Sequence, residues 1–158
     1  MDDSLRTGLG FGLTSGIITT LGLIVGLNAG TASAVVVIAG VLTIAIADSF
    51  SDALGIHISE EAEGIHDTKH IWKSTFYTWF FKLIVALSFL VPLIFFNLET
   101  AIYVMIAWGV LLLSSFSYVL ARWNKSSPLT TIAEHLLIAG VVLILAYYAG
   151  HFVKVLIG

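Results

Sequence analysis

The chain has no cysteine. That excludes a disulfide framework and any thiolate metal site, and leaves carboxylate, imidazole, hydroxyl, carbonyl and thioether groups as ligands. Charge is also scarce. Charged residues make up 11% of the 158 positions, against about 25% in a soluble domain. So little charged surface cannot cover a water-soluble protein of this size. The 58% hydrophobic content and mean hydropathy of +1.01 place the chain among integral membrane proteins. Neither sign of charge dominates: the formal net charge of −3 offers nothing to nucleic acid. There is no Gly-rich phosphate loop and no nucleophile–base pairing, so enzymatic activity is not expected. The start MDDSLRTGLG lacks a basic n-region and a small-residue cleavage site. It reads as the retained beginning of a first span rather than as a signal peptide.

Long apolar runs fill the rest. Crossing a bilayer takes about 20 apolar residues in a helix, and five segments qualify: roughly 9–30, 33–56, 75–97, 100–121 and 130–153. The runs are continuous, whereas strands of a membrane barrel alternate apolar and polar residues over about ten positions. The expected fold is therefore all-α, one transmembrane domain over 1–158 with five helices. Only 57–74, between the second and third spans, is longer and hydrophilic. Arg6, Lys69, Lys73, Arg122 and Lys125 fall on one side of this topology and Lys154 on the other. By the positive-inside rule the N-terminus and 57–74 face the cytoplasm, and the C-terminus faces outside or into a lumen. Ser127 and Pro128 mark the start of the fifth helix. The aromatic run from Trp72 to Phe81 reads as an interfacial belt, from which Lys82 is expected to snorkel. Gly8, Gly12 and Gly16, then Gly22, Gly26 and Gly30, recur every four residues, a spacing that lets another helix approach closely.

Acids within these runs are out of place. Asp48 and Asp52 lie four residues apart on one helix face, in a position that costs about 2.5–3.5 kcal/mol each by insertion scales. Ser49, Ser51 and Ser59 add hydroxyls nearby. Three explanations stand: a path for a cation or protons, an ion pair with Lys82, or carboxyls kept protonated by burial. Glu60, Glu63, His66, Asp67 and His70 follow. If the second helix continues outward, Glu63, His66, Asp67 and His70 share one face, and Glu63–His66 has the Glu-x-x-His spacing of di-metal carboxylate bundles. Carboxylate with imidazole suits Fe(II), Mn(II) or Zn(II). Glu134 and His135, on the cytoplasmic half of the fifth span, are placed to complete a site with the second. Ser15, Thr19 and Ser51 are expected to line the path. Against transport stands another class of function, a membrane-bound metal-binding protein, sensor or metalloenzyme that uses the Glu63/His66/His70 tract.

These residues resemble a known family. GLTSGIITTLGLIVGLNAG (12–30) is similar to the first helix of the vacuolar iron transporter family, whose pattern is Asp-Gly-x-x-Thr-Thr-x-Gly-x-x-Ala-Gly; Gly16, Thr19, Thr20, Gly22 and Gly26 match. AIADSFSDALGIHIS is similar to its second, Ala-Asp-x-x-Ser-Met-x-x-Gly-Glu-Tyr-x-Ser, through Ala47, Asp48, Ser51, Gly55 and Ser59. FLVPLIFF with Pro92, and LLIAGVVLILAYYAG with Gly140, Tyr148 and Gly150, also fit, so the resemblance covers nearly the whole chain. It implies five transmembrane helices per subunit and a homodimer embedded in lipid. It further implies export of Fe(II), Mn(II) or a related divalent ion from the cytoplasm, with protons as the exchanged ion. The metal is then a substrate, not a resident cofactor. The chain departs from the pattern at several positions. Ser15 stands where the family has Asp. Asp52 replaces Met, a harder ligand that favours Mn(II), Mg(II) or Ca(II). Ile56 and His57 stand for Glu-Tyr. The family's cytoplasmic metal-binding domain is cut down to about 57–74, where the Glu/His tract would gather ions.

Overall fold

The computed structural model describes residues 3–157, all helical apart from short connections. In chain order the helices are α1 (Asp3–Thr31), α2 (Ala34–Glu63), α3 (Thr68–Ser88), α4 (Val91–Phe95), α5 (Leu98–Trp123) and α6 (Pro128–Ile157). The short α4 continues the line of α3, and Pro92 sits in its first turn. Proline cannot donate the helical N–H bond, so the chain breaks at Phe89–Leu90 and restarts. With α3 and α4 taken as one span, five helices are long and apolar enough to cross a membrane. This fits a multi-pass membrane protein. The helices overrun the expected spans, most clearly α2, which continues for eight residues past Gly55 to Glu63.

The continuation of α2 through His70, on which a shared Glu63–His70 face depends, does not occur. Gly64 caps it with φ +67°, a left-handed conformation that costs glycine nothing and other residues more. Asp67 then caps α3, accepting from the His70 backbone N–H at 2.8 Å. The segment 57–74 is thus the end of one helix, a tight turn and the start of the next. α6 begins at Pro128 as expected, although the Ser127 hydroxyl accepts from Thr130 Oγ1 at 3.1 Å.

α1 organises the bundle. It packs against α2, α3, α5 and α6, and ten of its residues are buried. Its two glycine series serve different partners. Gly8, Gly12 and Gly16 lie against Tyr77, Thr78 and Lys82 of α3. Gly22, Gly26 and Gly30 lie against Val142, Ala146 and Gly150 of α6. The six-residue step from Gly16 to Gly22 explains the switch. At about 100° per residue it turns the groove roughly 240° around the helix. Ile17, Leu21 and Ile24 pack between, with Val37 and Val41 of α2, Val85 and Phe89 at the end of α3, and Met105 and Leu113 of α5.

A methyl group at Gly8 would run into Tyr77 Cβ and lie 2.9 Å from Thr78 N. Gly8→Ala should therefore cost about 1–3 kcal/mol by overpacking, read as an earlier thermal midpoint in detergent. Gly10→Ala, which meets nothing within 4 Å, should be neutral or stabilising, because alanine is the better helix former.

Candidate functional site

Midway along the bundle, where apolar contacts would be expected on every side, three helices contribute a cluster of polar groups. α2 supplies Asp48 and Asp52, one turn apart. α3 supplies Lys82, and α1 supplies Ser15 and Thr19. Lys82 does not snorkel. Its side chain is 2% exposed and is enclosed because Gly16 leaves space for its stem: a Cβ there would lie 3.3 Å from Lys82 Cγ. The ammonium pairs with Asp48 Oδ2 at 2.5 Å and more closely still with Asp52 Oδ2. It donates to Ser15 Oγ at 3.0 Å, and Ser15 in turn donates to Asp52 Oδ2 at 2.6 Å. Thr19 Oγ1 lies 2.8 Å from the Ser15 carbonyl and 3.2 Å from Asp48 Oδ2, so one hydroxyl proton serves both. Of the explanations the sequence left standing for the two acids, the ion pair with Lys82 is present.

α2 extends eleven residues beyond Asp52 to Glu63, about 16 Å of helix.

Two features keep the cluster from being a closed ion pair. Two carboxylates face one ammonium, a formal charge of −1. The two acids also differ in access: side-chain exposure is 28% for Asp48 and 18% for Asp52. Asp48 lies on the wall of an open groove of about 830 Å³ between α1 and α2, with Thr19, Ala39, Thr43, Ala47 and Ser51. Thr19 and Ser51, expected beside a path, line this groove. Ser15, expected with them, instead bridges Lys82 and Asp52. The rest of the groove is apolar, with Leu23, Leu27, Val35, Val36 and Ile44 on its walls, so its oxygen donors are confined to Asp48 and the hydroxyls of Thr19, Thr43 and Ser51.

The other expected ligands lie elsewhere. Glu60 is buried, with Oε1 3.8 Å from His70 Nε2. His66 stacks on His70, ring centroids 3.9 Å apart and planes within 5°. Glu63 and Asp67 are exposed, and the turn at Gly64 breaks the helical face they were expected to share with the two histidines. His135 Nδ1 lies 2.8 Å from Ser117 Oγ of α5, and Glu134 is exposed. α6 packs on α1 and α5, so these two residues do not join the acids of α2. Among the described residues no three His, Asp or Glu side chains converge into a ready metal cage. Lys82 is the member for which the sequence left two placements open, snorkelling to the interface or pairing with the two acids, and the pairing is the one present. The available signal was a lone cation in an apolar helix opposite two lone acids, which only a partner can accommodate.

Comparison with protein-family models, with curated proteins and with solved structures gave no match.

Lys82 holds the cluster together. Lys82→Met would leave two carboxylates facing each other, and breaking a buried pair costs about 3–5 kcal/mol. The partial exposure of both acids puts this case at the low end. Asp52→Asn keeps the Lys82–Asp48 pair and should cost less. Thermal denaturation in detergent should rank the variants wild type, Asp52→Asn, Lys82→Met from most to least stable.

Proposed function

We propose that this chain is a homodimeric transporter that exports a divalent metal ion of the Fe(II)/Mn(II) kind from the cytoplasm in exchange for protons. The observation that carries the reading is the excess of acid at Asp48 and Asp52. An apolar bundle does not retain a second carboxylate to balance one lysine without a use for it, given what each acid costs at such depth. Asp48, on the groove wall, is the residue that meets the ion first. Ser15, Thr19 and Ser51 supply neutral oxygens around it. Lys82 is the cation already in place. A divalent ion would bind where the ammonium now bridges the acids, so loading requires Lys82 to give up Asp48. Carboxylates bind metal in their deprotonated form, which gives protons a natural role as competitors. The resemblance of α1 and α2 to the vacuolar iron transporter family supplies the class of ion. Asp52 in the family's methionine position favours the harder ions of that class.

The dimer is argued from α2. Ala39, Thr43, Ala47, Ser51, Gly55 and Ser59 recur every four residues, and all are exposed. Small residues in such a stripe allow close helix approach in lipid, and a second copy packed there would cover the groove beside Asp48. Orientation is argued from charge. Arg6, Lys69, Lys73, Arg122 and Lys125 gather at the bundle end where α1 starts and the α2–α3 and α5–α6 turns lie, with Arg6 hydrogen-bonded to Asn124. That end is taken as cytoplasmic.

Metal flux into proteoliposomes, measured for Fe(II), Mn(II), Co(II) and Zn(II) with and without a pH gradient, tests the reading. Asp48→Asn should abolish flux while the protein still elutes as a folded species. Undiminished flux in that variant would refute the assignment. Ala39→Leu combined with Gly55→Leu should shift the protein from dimer to monomer in light scattering. An unchanged dimer would move the interface to another face.

A further inference from the structure

The outer side of the α2–α3 contact carries a groove of about 590 Å³, within the size range of small-molecule sites. Its apolar walls are Phe50 and Leu54 of α2 with Phe76 and Trp79 of α3. Phe50, Leu54 and Phe76 are exposed. The small-residue stripe argued for the dimer does not cover them. Phe50 and Leu54 precede Ser51 and Gly55 of that stripe by one residue, a turn of about 100° around the helix.

Two polar groups belong to this groove. Trp79 Nε1 is buried and has no acceptor among the described residues. A buried indole N–H ordinarily has one, so the acceptor must come from outside the chain. The other group is His57, which lines the groove and meets Trp72 edge-on, with ring centroids 4.7 Å apart. The Thr75 hydroxyl has one proton and donates it to the Ile71 carbonyl at 2.7 Å. His57 Nδ1, 2.9 Å from the same hydroxyl, is therefore the donor of that pair. A neutral His57 is left with Nε2 as an acceptor.

Charge enters only at the mouth. Glu61 follows His57 by one turn of α2, and Lys69 precedes Trp72 by one turn of α3, so each shares the groove side of its helix. Both lie about 5 Å nearer the helix ends than the His57–Trp72 contact. Both are exposed, and among the described residues neither is in an ion pair. Helical side chains lean toward the N-terminus, which brings the Trp79 indole from deeper on α3 back toward this mouth. An acid and a base, then aromatic rings, then a buried N–H donor complement a zwitterionic phospholipid from its headgroup inward.

We propose that the groove holds one phospholipid of the adjacent leaflet, with a zwitterionic headgroup of the phosphatidylethanolamine type. Its phosphate meets Lys69, and its primary ammonium donates to Glu61 and to His57 Nε2. An ester carbonyl accepts from Trp79, and an acyl chain lies against Phe50, Leu54 and Phe76. A choline headgroup has no N–H to donate, and Glu61 repels a purely anionic one. The site is independent of whether the Asp48–Lys82–Asp52 cluster transports.

Quenching of tryptophan fluorescence by brominated phospholipids, on delipidated full-length protein in detergent, tests this. Trp108→Phe with Trp123→Phe leaves Trp72 and Trp79 as the only indoles. Brominated phosphatidylethanolamine should quench saturably at one lipid per chain. Its half-saturation should lie about fivefold below those of phosphatidylcholine and phosphatidylglycerol, the scale of one exposed charge pair. Glu61→Gln and Lys69→Gln, both at exposed positions, should each remove most of that preference. Phe76→Ala should weaken all three lipids alike. Asp48→Asn should bind lipid like wild type, so this site and the transport reading fail separately. Equal and unsaturable quenching by the three lipids would reduce the groove to ordinary lipid contact and overturn the proposal. A preference for phosphatidylglycerol that Glu61→Gln leaves intact would overturn it as well.

Discussion

Placing the ammonium of Lys82 between Asp48 and Asp52 deep in an apolar bundle is possible only if three helices meet closely at one level, and much of the architecture follows from that demand. α3 must come near enough to α1 for the lysine stem to pass, and the glycines at 8, 12 and 16 provide the groove. α2 must present one face inward across a full turn, so Asp48 and Asp52 both reach the same nitrogen. Ser15 then fills the remaining position by accepting from Lys82 and donating to Asp52. Remove the close approach of α1 and α3, and the lysine loses its enclosure. Remove the lysine, and the acids lose the charge that lets them stay.

The second glycine series serves a different need. α6 is held by α1, through Gly22, Gly26 and Gly30, and by α5, while its outer face is exposed and Ala139 is its one fully buried residue among those described. α2 is likewise open along its small-residue stripe. A soluble protein would not leave such surfaces bare. In a bilayer, lipid covers them without penalty. The exposed apolar faces and the buried charges are two aspects of one condition, an environment that inverts the ordinary preference for polar surfaces.

Within the transport reading, the lysine and the transported ion are alternatives for the same acids. The groove beside Asp48 gives a direction of approach, and the less exposed Asp52 holds Lys82 when Asp48 releases it. The Glu60–His70 contact stands outside this exchange. It lies where α2 and α3 join.

Much was legible in the sequence. The count of spanning helices follows from run length and hydropathy, since a bilayer fixes how many apolar residues a crossing needs. The importance of Asp48 and Asp52 follows from their cost in apolar surroundings, and the two glycine series from their spacing. What the sequence left open turned on contacts between distant segments. Continuation of α2 through His70 looked equal to a break until Gly64 took a left-handed conformation and Asp67 capped α3. Glu134 and His135 have the right depth to join α2, but α6 packs on α1 and α5. Lys82 has the periodicity of any interfacial lysine; only the three-dimensional approach of α1, α2 and α3 turned it inward. Local propensity and hydropathy act along the chain, and these the sequence determined by itself. Which buried charge meets which partner depends on how helices tens of residues apart rotate about their axes, and close packing of the whole bundle decided that.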